Sequence, residues 1–412
     1  MPSEESSEED GRANDPANDE RVENGRTDGG NSETLDTRAI HAGEEKPDNA
    51  LVTPIYANAT YEYESSTALG GRYRYSRMSA PTRGDLESVV ADLEGATHAY
   101  AFASGMAAID AVFSLLSAGD HVVTGSSLYA ETYDLLADVY PRYGVSVTHV
   151  DATDSAAVRE AVRDETALVY VETPTNPLLR VVDIAAVADA AHEVDAVAAV
   201  DNTFASPALQ RPLELGADLS VESLTKYLNG HSDAIGGSVA TRDADLARRL
   251  EKTQYTRGAV LGPFESFLVR RGAKTLQARM DRHCRNAAAV ADALASHAAV
   301  DTVYYPGLDT HPGHEVAARQ MADFGGMLAF ELSGGVDDAT EFVAALETVT
   351  IAESLGGVES LVEVPAAMTH QDFTAEELRA AGIDPGLVRL SVGIERESDL
   401  VADVRGGLDA VL

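Results

Sequence analysis

The chain has few of the residues on which several common classes of protein depend. Only one of its 412 residues is cysteine, Cys284, so no disulfide can form within the chain and no cysteine cluster can bind a metal ion. No uninterrupted apolar run of about 18 residues occurs, which argues against a transmembrane helix. The first residues carry neither the basic nor the apolar segment of a signal peptide. We therefore expect a cytoplasmic protein without a metal centre.

Positive charge is also scarce. The chain has 31 Lys and Arg against 68 Asp and Glu, which gives a formal net charge of −37 at pH 7. This charge repels phosphate backbones and anionic headgroups, so neither nucleic acid nor a membrane is an expected partner. An acidic surface poor in lysine indicates a halophilic protein, because high salt screens self-repulsion. The alternative is an acidic protein from ordinary cytosol.

Composition divides the chain into four parts. Residues 1–34 hold eleven acidic and three basic residues and almost no apolar ones, which predicts a disordered acidic tail. Residues 35–78 are rich in Tyr and Arg but lack a regular period, which indicates an ordered N-terminal arm lying against something else. Residues 79–280 alternate helical and strand patterns. Residues 281–412 hold longer helices and few strands, the clearest at 324–330, which predicts a smaller C-terminal α/β domain.

The alternation in residues 79–280 predicts a mostly parallel sheet with helices on both faces. The helical patterns cover five segments: 82–95, 105–117, 129–143, 154–165 and 183–194. The strand-like runs cover six: 121–124, 145–150, 167–172, 196–200, 219–223 and 238–241.

Polar residues follow three of these strands and predict a binding site at one edge of the sheet. The segments are Glu172–Pro177, Asp201–Thr203 and Glu222–Lys226. Ligands of open parallel sheets collect at the carboxyl ends of the strands. Lys226 is one of only four lysines, and the other three lie in the arm (Lys46) or on charged helical stretches (Lys252 and Lys274). A solvated surface lysine after a strand is the alternative for Lys226.

The combination of groups at this edge suits pyridoxal phosphate. Neither common nucleotide-binding glycine loop occurs in the chain, although Ser104 and Gly105 precede a helical pattern whose first N–H groups can bind a phosphate. The cofactor aldehyde needs a lysine such as Lys226, its ring nitrogen an acid such as Asp201, and its ring face an aromatic such as Tyr129. The alternative interpretations are that Asp201 is a helix cap and that Tyr129 is a core aromatic.

Together these segments resemble the Cys/Met-metabolism family of fold-type I enzymes that use pyridoxal phosphate, nearest to its cystathionine γ-synthases and γ-lyases. The matching motifs run from about residue 36 to the end of the chain: Tyr75–Arg77, Phe102–Ala108, Glu172–Pro177, Val200–Phe204, Ser223–Asp233, Ala352–Gly357 and Arg389–Gly393. The resemblance implies the fold-type I PLP-dependent transferase fold and a homotetramer that is a dimer of dimers.

The resemblance also implies a role for each matching residue. The catalytic residues would be Lys226, which binds the cofactor and moves protons, and Tyr129, which stacks on the ring. Asp201 would pair with the ring nitrogen. The other cofactor-binding residues would be Gly105, Met106, Ser223, Thr225 and Asn176, with Tyr75 and Arg77 from a neighbouring subunit. The substrate-binding residues would be Asn176, Ser354, Glu353 and Arg389, although Arg389 could instead form a surface ion pair.

The activity implied is elimination or replacement at the γ-carbon of a homoserine-derived amino acid. Cystathionine β-lyase, methionine γ-lyase and O-acetylhomoserine sulfhydrylase activities are alternatives, as is a protein that binds the cofactor without turnover. One position departs from the family pattern, since Asp134 stands where an arginine usually meets the distal part of the substrate. A carboxylate there should repel a distal carboxylate and could attract the distal ammonium of cystathionine.

Overall fold

The computed structural model describes residues 33–43, 47–63, 73–369 and 382–412, together with Thr374, Glu376 and Leu378. Apart from Glu33 and Thr34, the predicted acidic tail lies outside the described residues. Thr34–Leu412 form one compact unit. Within the described ranges, every helix is too short or too polar to cross a membrane.

The larger sheet has seven strands in the order β1-β7-β6-β5-β4-β2-β3. In chain order they are β1 (His98–Phe102), β2 (His121–Gly125), β3 (Ser146–Val150), β4 (Thr166–Glu172), β5 (Val197–Asp201), β6 (Leu219–Glu222) and β7 (Gly237–Thr241). Strand β7 runs opposite to the other six strands, which are parallel to one another, and this confirms the mostly parallel sheet. The pattern of residues 79–280 predicted every strand except the edge strand β1.

Four of the first nine helices begin at a side chain that satisfies free N–H groups. The side chains of Ser104, Asp154, Asp183 and Asp243 each accept a hydrogen bond from the first turn of the helix they precede. These helices and their neighbours are α1 (Leu35–His41), α2 (Pro81–Leu93), α3 (Gly105–Phe113), α4 (Ala130–Asp134), α5 (Ser155–Ala161), α6 (Ile184–His192), α7 (Ser206–Leu209), α8 (Ala244–Arg257) and α9 (Pro263–Ala273).

Helices cover both faces of the larger sheet, because side chains along each strand alternate between the faces. Tyr170 of β4 packs into an apolar cluster with Phe113 of α3 and Leu250 of α8. The next residue along the strand, Val171, packs into a separate cluster with Ile184 of α6. The predicted three-layer arrangement is confirmed.

The smaller sheet has five strands in the order β10-β11-β12-β9-β8. Its strands are β8 (Val300–Tyr304), β9 (Met327–Leu332), β10 (Thr350–Ile351), β11 (Leu361–Glu363) and β12 (Leu387–Ser391). The helices of this part are α10 (Leu276–Ala295), α11 (His314–Gln320), α12 (Val336–Ala345) and a final helix, Glu397–Ala410. The predicted boundary at 280/281 falls inside α10, and the division into two domains stays a prediction.

Candidate functional site

A cavity of ≈ 260 Å³ lies at the carboxyl ends of the central strands and gathers most of the predicted site. Register explains the convergence, because Glu172, the last residue of β4, pairs with Asp201, the last residue of β5. Eight predicted residues line the cavity: Gly105, Met106, Tyr129, Asn176, Asp201, Ser223, Thr225 and Lys226.

One end of the cavity is a tight cradle at the beginning of α3. Ser104 caps this helix by accepting a hydrogen bond from the N–H of Ala107, 3.1 Å away. A side chain at Gly105 would come within 3.1 Å of the Ser223 hydroxyl, and one at Gly237 would overlap the carbonyl of Ser104. Backbone N–H groups at a helix start and nearby hydroxyls are the donors that a phosphate needs. The donor set of this cradle therefore fits a phosphate group.

The carboxyl of Asp201 lies on the floor of the cavity. It accepts hydrogen bonds from the Thr203 N–H at 3.0 Å and the Tyr170 hydroxyl at 3.2 Å. Burial raises the pKa of Asp201, and the hydrogen bonds from Thr203 oppose this shift. A cationic partner such as a protonated ring nitrogen would favour the charged carboxylate. Asp201 therefore lines the cavity and is not the cap of the helix that follows, which Ala205 precedes.

The amine of Lys226 points towards the smaller sheet and donates a hydrogen bond of 2.7 Å to the Ser354 hydroxyl. Burial and, secondarily, the positive charge of Arg389 lower the pKa of Lys226 to about 8. With this pKa, roughly a tenth of the amine is neutral at pH 7, and the neutral form is the one that can act as a nucleophile or a base. Lys226 is not a solvated surface residue.

Arg389 is a buried residue, with 3% of its surface exposed, and not the surface ion pair that strand β12 also allowed. Its guanidinium donates hydrogen bonds to the Asn176 side chain at 2.7 Å and the Ser354 carbonyl at 3.0 Å. It also pairs with the Glu363 carboxylate at 3.0 Å. Three of the four predicted substrate-binding residues, Asn176, Ser354 and Arg389, therefore meet beside Lys226. Glu363 was missed, because nothing local in the sequence marks it.

Tyr129 enters the cavity at the beginning of α4. Its backbone N–H donates to both carboxylate oxygens of Glu172, at 2.9 and 3.0 Å. The ring is 39% exposed, so Tyr129 is not a core aromatic. Burial and the nearby Glu131 raise its pKa. The strand-end position of Glu172 was a signal in the sequence, but its part in fixing Tyr129 was not predicted.

Tyr75 and Arg77 do not line the cavity of this chain. The guanidinium of Arg77 lies 5.4 Å from the centre of the Tyr75 ring and donates a hydrogen bond to the Tyr255 carbonyl. Tyr75 is 43% exposed. Their contribution to the site of a neighbouring subunit stays a prediction.

A second cavity, of ≈ 980 Å³, adjoins the first and shares Thr225 and Ile235 with it. Glu353 and Ser354 lie on its wall. The wall also carries further acidic residues: Asp233, Glu265 and Glu359. Asp134 is exposed and lines neither of these cavities. The negative charges of Glu363 and Glu353 act on the Lys226 amine and oppose the fall of its pKa. The part of Asp134 in recognising the distal end of the substrate stays a prediction.

Comparison with known proteins agrees with this geometry. A model of the family "Cys/Met metabolism PLP-dependent enzyme" matches residues 36–409. The chain belongs to this family. A cystathionine β-lyase of Coxiella burnetii is 48% identical to it over 379 residues, which cover 91% of this chain and 97% of the relative.

Members with other activities are about as similar. A cystathionine γ-synthase of Mycobacterium bovis is 47% identical over 376 residues, covering 90% of this chain and 96% of the relative. The crystal structure of a cystathionine γ-lyase from Lactobacillus plantarum in complex with L-serine superposes with a TM-score of 0.89 at 43% identity, covering 92% and 99% of the two chains. Membership of this PLP-dependent family establishes the fold-type I fold and pyridoxal phosphate as the cofactor, whereas similarity leaves the particular activity open.

Proposed function

We propose that the enzyme eliminates or replaces a group at the γ-carbon of a homoserine-derived amino acid, as in cystathionine cleavage or synthesis. The observation that carries this proposal is the position of the Lys226 amine, 2.7 Å from the Ser354 hydroxyl and next to the Arg389 guanidinium. Loss of a γ-substituent requires protons to be taken from Cα and then from Cβ. A single base on a long, flexible side chain can reach both atoms.

In this proposal each residue has its own role. Arg389 would bind the substrate α-carboxylate with its planar fork, and Asn176 orients that fork through a hydrogen bond of 2.7 Å. Pyridoxal phosphate would supply the electron sink that stabilises negative charge at Cα. Asp201 would hold the proton of the ring nitrogen, and Tyr129 would stack on the ring.

Lys226 would move the protons between carbon atoms and the leaving group. A pKa of about 8 suits this exchange near neutral pH, because the amine then accepts and returns a proton with similar ease. The Ser354 hydroxyl holds the Lys226 amine, and the backbone carbonyl of Ser354 accepts a hydrogen bond from Arg389. Ser354 therefore contacts both residues. The presence of both Lys226 and Arg389 favours turnover over cofactor binding alone.

Cleavage at the β-carbon is the second candidate, favoured by the 48% identity to the cystathionine β-lyase of Coxiella burnetii. Methionine cleavage and sulfhydrylation of an acylhomoserine use the same residues and remain further alternatives. All of them take a sulfur-containing or homoserine-derived amino acid as substrate.

The products formed from L-cystathionine distinguish the two candidates. Cleavage at the γ-carbon releases cysteine, 2-oxobutanoate and ammonia, whereas cleavage at the β-carbon releases homocysteine, pyruvate and ammonia. A parallel reaction of an acylhomoserine with cysteine tests synthesis, in which cystathionine forms and the acid is released. We expect 2-oxobutanoate or new cystathionine. Pyruvate with homocysteine as the main products would contradict the γ-carbon assignment.

We also propose a homotetrameric, cytoplasmic and halophilic enzyme. The charge of −37 supports the salt requirement, because self-repulsion of that size is relieved by screening. The exposed Tyr75 supports assembly, since aromatic rings of this kind are enriched at interfaces. Activity and sedimentation measured at low and high salt test these statements together.

A further inference from the structure

We propose that helix α10 sets the distance between the cofactor lysine and the carboxylate-binding arginine, through three positioning residues: Arg279, His283 and Asn286. The inference rests on the roles proposed for Lys226 and Arg389. It does not depend on which bond of the substrate is broken.

Arg279 fixes the segment that directly follows Lys226. Its guanidinium donates hydrogen bonds to the Tyr227 carbonyl at 2.7 Å and the Leu228 carbonyl at 3.3 Å. A third bond, to the Gly272 carbonyl at 3.0 Å, ties the same group to the end of α9. Burial lowers the pKa of Arg279 to about 10, which still leaves it charged at neutral pH. A charged donor therefore restrains the backbone one residue beyond Lys226.

His283 and Asn286 fix the segment that follows Arg389. The Nδ1 of His283 lies 2.6 Å from the Val392 carbonyl, and the Asn286 amide donates to the carbonyls of Gly393 at 2.9 Å and Glu395 at 3.0 Å. Burial lowers the pKa of His283 to about 4, so the ring is neutral and Nδ1 carries the proton that Val392 accepts. Both side chains are 0% exposed.

The spacing places all three residues on one face of one helix. Residues four and three positions apart lie above one another on an α-helix. Seven residues of helix span about 10 Å, and a helix changes this length very little. The Tyr227 ring also packs edge-on against the His283 ring, with centroids 5.3 Å apart. The helix thus contacts the segments after Lys226 and after Arg389 with a single rigid row of donors.

Both segments need such external donors because the carbonyls lie outside the strands that precede them. Tyr227 and Leu228 come after the end of β6, and Val392 and Gly393 come after the end of β12. A buried carbonyl without a partner costs free energy, so these contacts fix the path of both segments. Displacing either one would move Lys226 or Arg389 relative to the other.

Two measurements on the holoenzyme distinguish the end of this row of donors that contacts the Lys226 segment from the end that contacts the Arg389 segment. The midpoint of the pH titration of the visible absorbance of bound cofactor reports the surroundings of Lys226. The Kd for glycine, which carries the amino-acid carboxylate but no side chain to eliminate, reports the Arg389 side. Thermal unfolding midpoints show whether a variant is merely less stable.

We expect Arg279→Gln to shift the absorbance midpoint and to lower kcat about tenfold, with little change in glycine Kd, because charged hydrogen bonds to the lysine segment are lost. Asn286→Ala should raise glycine Kd and substrate KM about tenfold and leave the midpoint unchanged. His283→Ala should change both readouts, and His283→Asn, which keeps a donor near Nδ1, should restore part of each.

Arg285→Gln is the matched control, because Arg285 is an exposed residue of the same helix that pairs with Glu397 at 3.7 Å. It should leave both readouts as in the wild type. If Arg279→Gln does not fold, Arg279→Lys replaces it, since it keeps the charge and loses the fork. Variants that change stability, midpoint and Kd in fixed proportion, or that fold and leave both readouts unmoved, would overturn the proposal. Glycine binding is measurable even if no substrate of the panel is cleaved, so failure of the proposed function is a separate result.

Discussion

Lys226 and Ser354, which are 128 positions apart in the chain, are joined by a hydrogen bond of 2.7 Å. The lysine follows the last strand of the parallel part of the larger sheet, whereas the serine lies between β10 and β11 of the smaller one. Ser354 has a φ of 87°, which is a left-handed conformation that non-glycine residues rarely adopt. The chain therefore accepts an unfavourable backbone angle at the position where the serine meets the Lys226 amine.

Replacing Ser354 tests whether its hydroxyl assists Lys226. Ser354→Gly removes the hydroxyl and suits the backbone angle, whereas Ser354→Ala removes it and keeps the strain. Both variants should lower kcat about tenfold, because a hydrogen bond to an ionisable amine is lost. Steady-state kinetics and thermal unfolding of both variants measure this. A glycine variant that turns over at the wild-type rate would show that the hydroxyl does not matter.

Lys226→Ala should abolish turnover and the visible absorbance of lysine-bound cofactor, and leave the fold intact. Among the described residues, Lys226 is the one lysine that lines the first cavity, so no substitute amine is expected within reach. The matched control is Lys252→Ala, on the exposed side of α8, which should behave as the wild type. Absorbance spectra measure the lysine-bound cofactor, and the rate of keto-acid release measures turnover. A Lys226→Ala protein that keeps the absorbance band would refute the assignment.

Arg77→Ala should weaken cofactor retention if the arm reaches a neighbouring subunit. Mixing Arg77→Ala with Lys226→Ala subunits should then restore roughly a quarter of the sites, because half of the randomly formed dimers hold one site with both wild-type residues. Refolding the mixture and measuring cofactor content and activity tests this. Mixed oligomers that demonstrably form but recover no activity would argue for a site built within one chain.

Glu353, on the wall of the second cavity, should disfavour substrates with a distal carboxylate. Glu353→Gln should raise the kcat/KM for a succinylated homoserine relative to that for cystathionine by up to about fivefold, since exposed charges interact weakly. High salt should reduce the effect. Asp134→Asn, outside both cavities, is the control and should leave this ratio unchanged. A change with Asp134→Asn alone would instead support the sequence-based assignment to Asp134.

Glu94 should make the stability depend on pH. Both carboxylate oxygens of Glu94 are buried without a hydrogen-bond partner, and burial raises its pKa to about 7. The neighbouring Ser220 and Glu222 side chains and the positive charge of Arg211 oppose this shift, and the negative charge of Glu214 adds to it. The unfolded chain releases this proton near pH 4.5 and the folded protein near pH 7. The stabilising contribution is therefore complete below about pH 4.5 and is lost as pH rises to about 7.

Glu94→Gln carries no charge at any of these pH values, so its stability should fall less over this range. One pKa unit corresponds to about 1.4 kcal/mol. The free energy of unfolding of the wild type should therefore fall by up to about 3 kcal/mol more than that of Glu94→Gln. Urea unfolding at about pH 5 and pH 8 measures it. The exposed Glu160→Gln is the control and should follow the wild type. Equal slopes for Glu94→Gln and the wild type would contradict this account.

The sequence predicted those parts of the site that follow from local patterns. Asp201 comes at the end of one apolar run and Lys226 four residues after the end of another, and the parallel sheet brings the ends of such runs together. Strand β1 was not recognised, because its alanines, Ala99 and Ala101, have little preference for strands. Its place at the edge is set by pairing with β7, more than a hundred residues further along the chain.

Contacts between distant segments could not be predicted. Glu363 meets Arg389 because β11 and β12 are neighbours in antiparallel register, which no local pattern reveals. Arg279 reaches the Tyr227 carbonyl across 52 positions, and His283 reaches the Val392 carbonyl across 109. In the sequence, the polar residues of α10 are typical of the exposed face of a helix. Only the folded structure shows that the three positioning residues among them are buried.

The cradle at the beginning of α3 has a consequence for the tolerance of this enzyme to mutation. Gly105 and Gly237 do not adopt left-handed backbone angles, so their conformation alone would permit any residue. What excludes a larger residue is a close neighbour, which is Ser223 at Gly105 and the beginning of α3 at Gly237. A saturation library should therefore recover only glycine at position 237, where a side chain would overlap the Ser104 carbonyl. At position 105 it should recover glycine and, at reduced fitness, alanine, because Ser223 can move slightly.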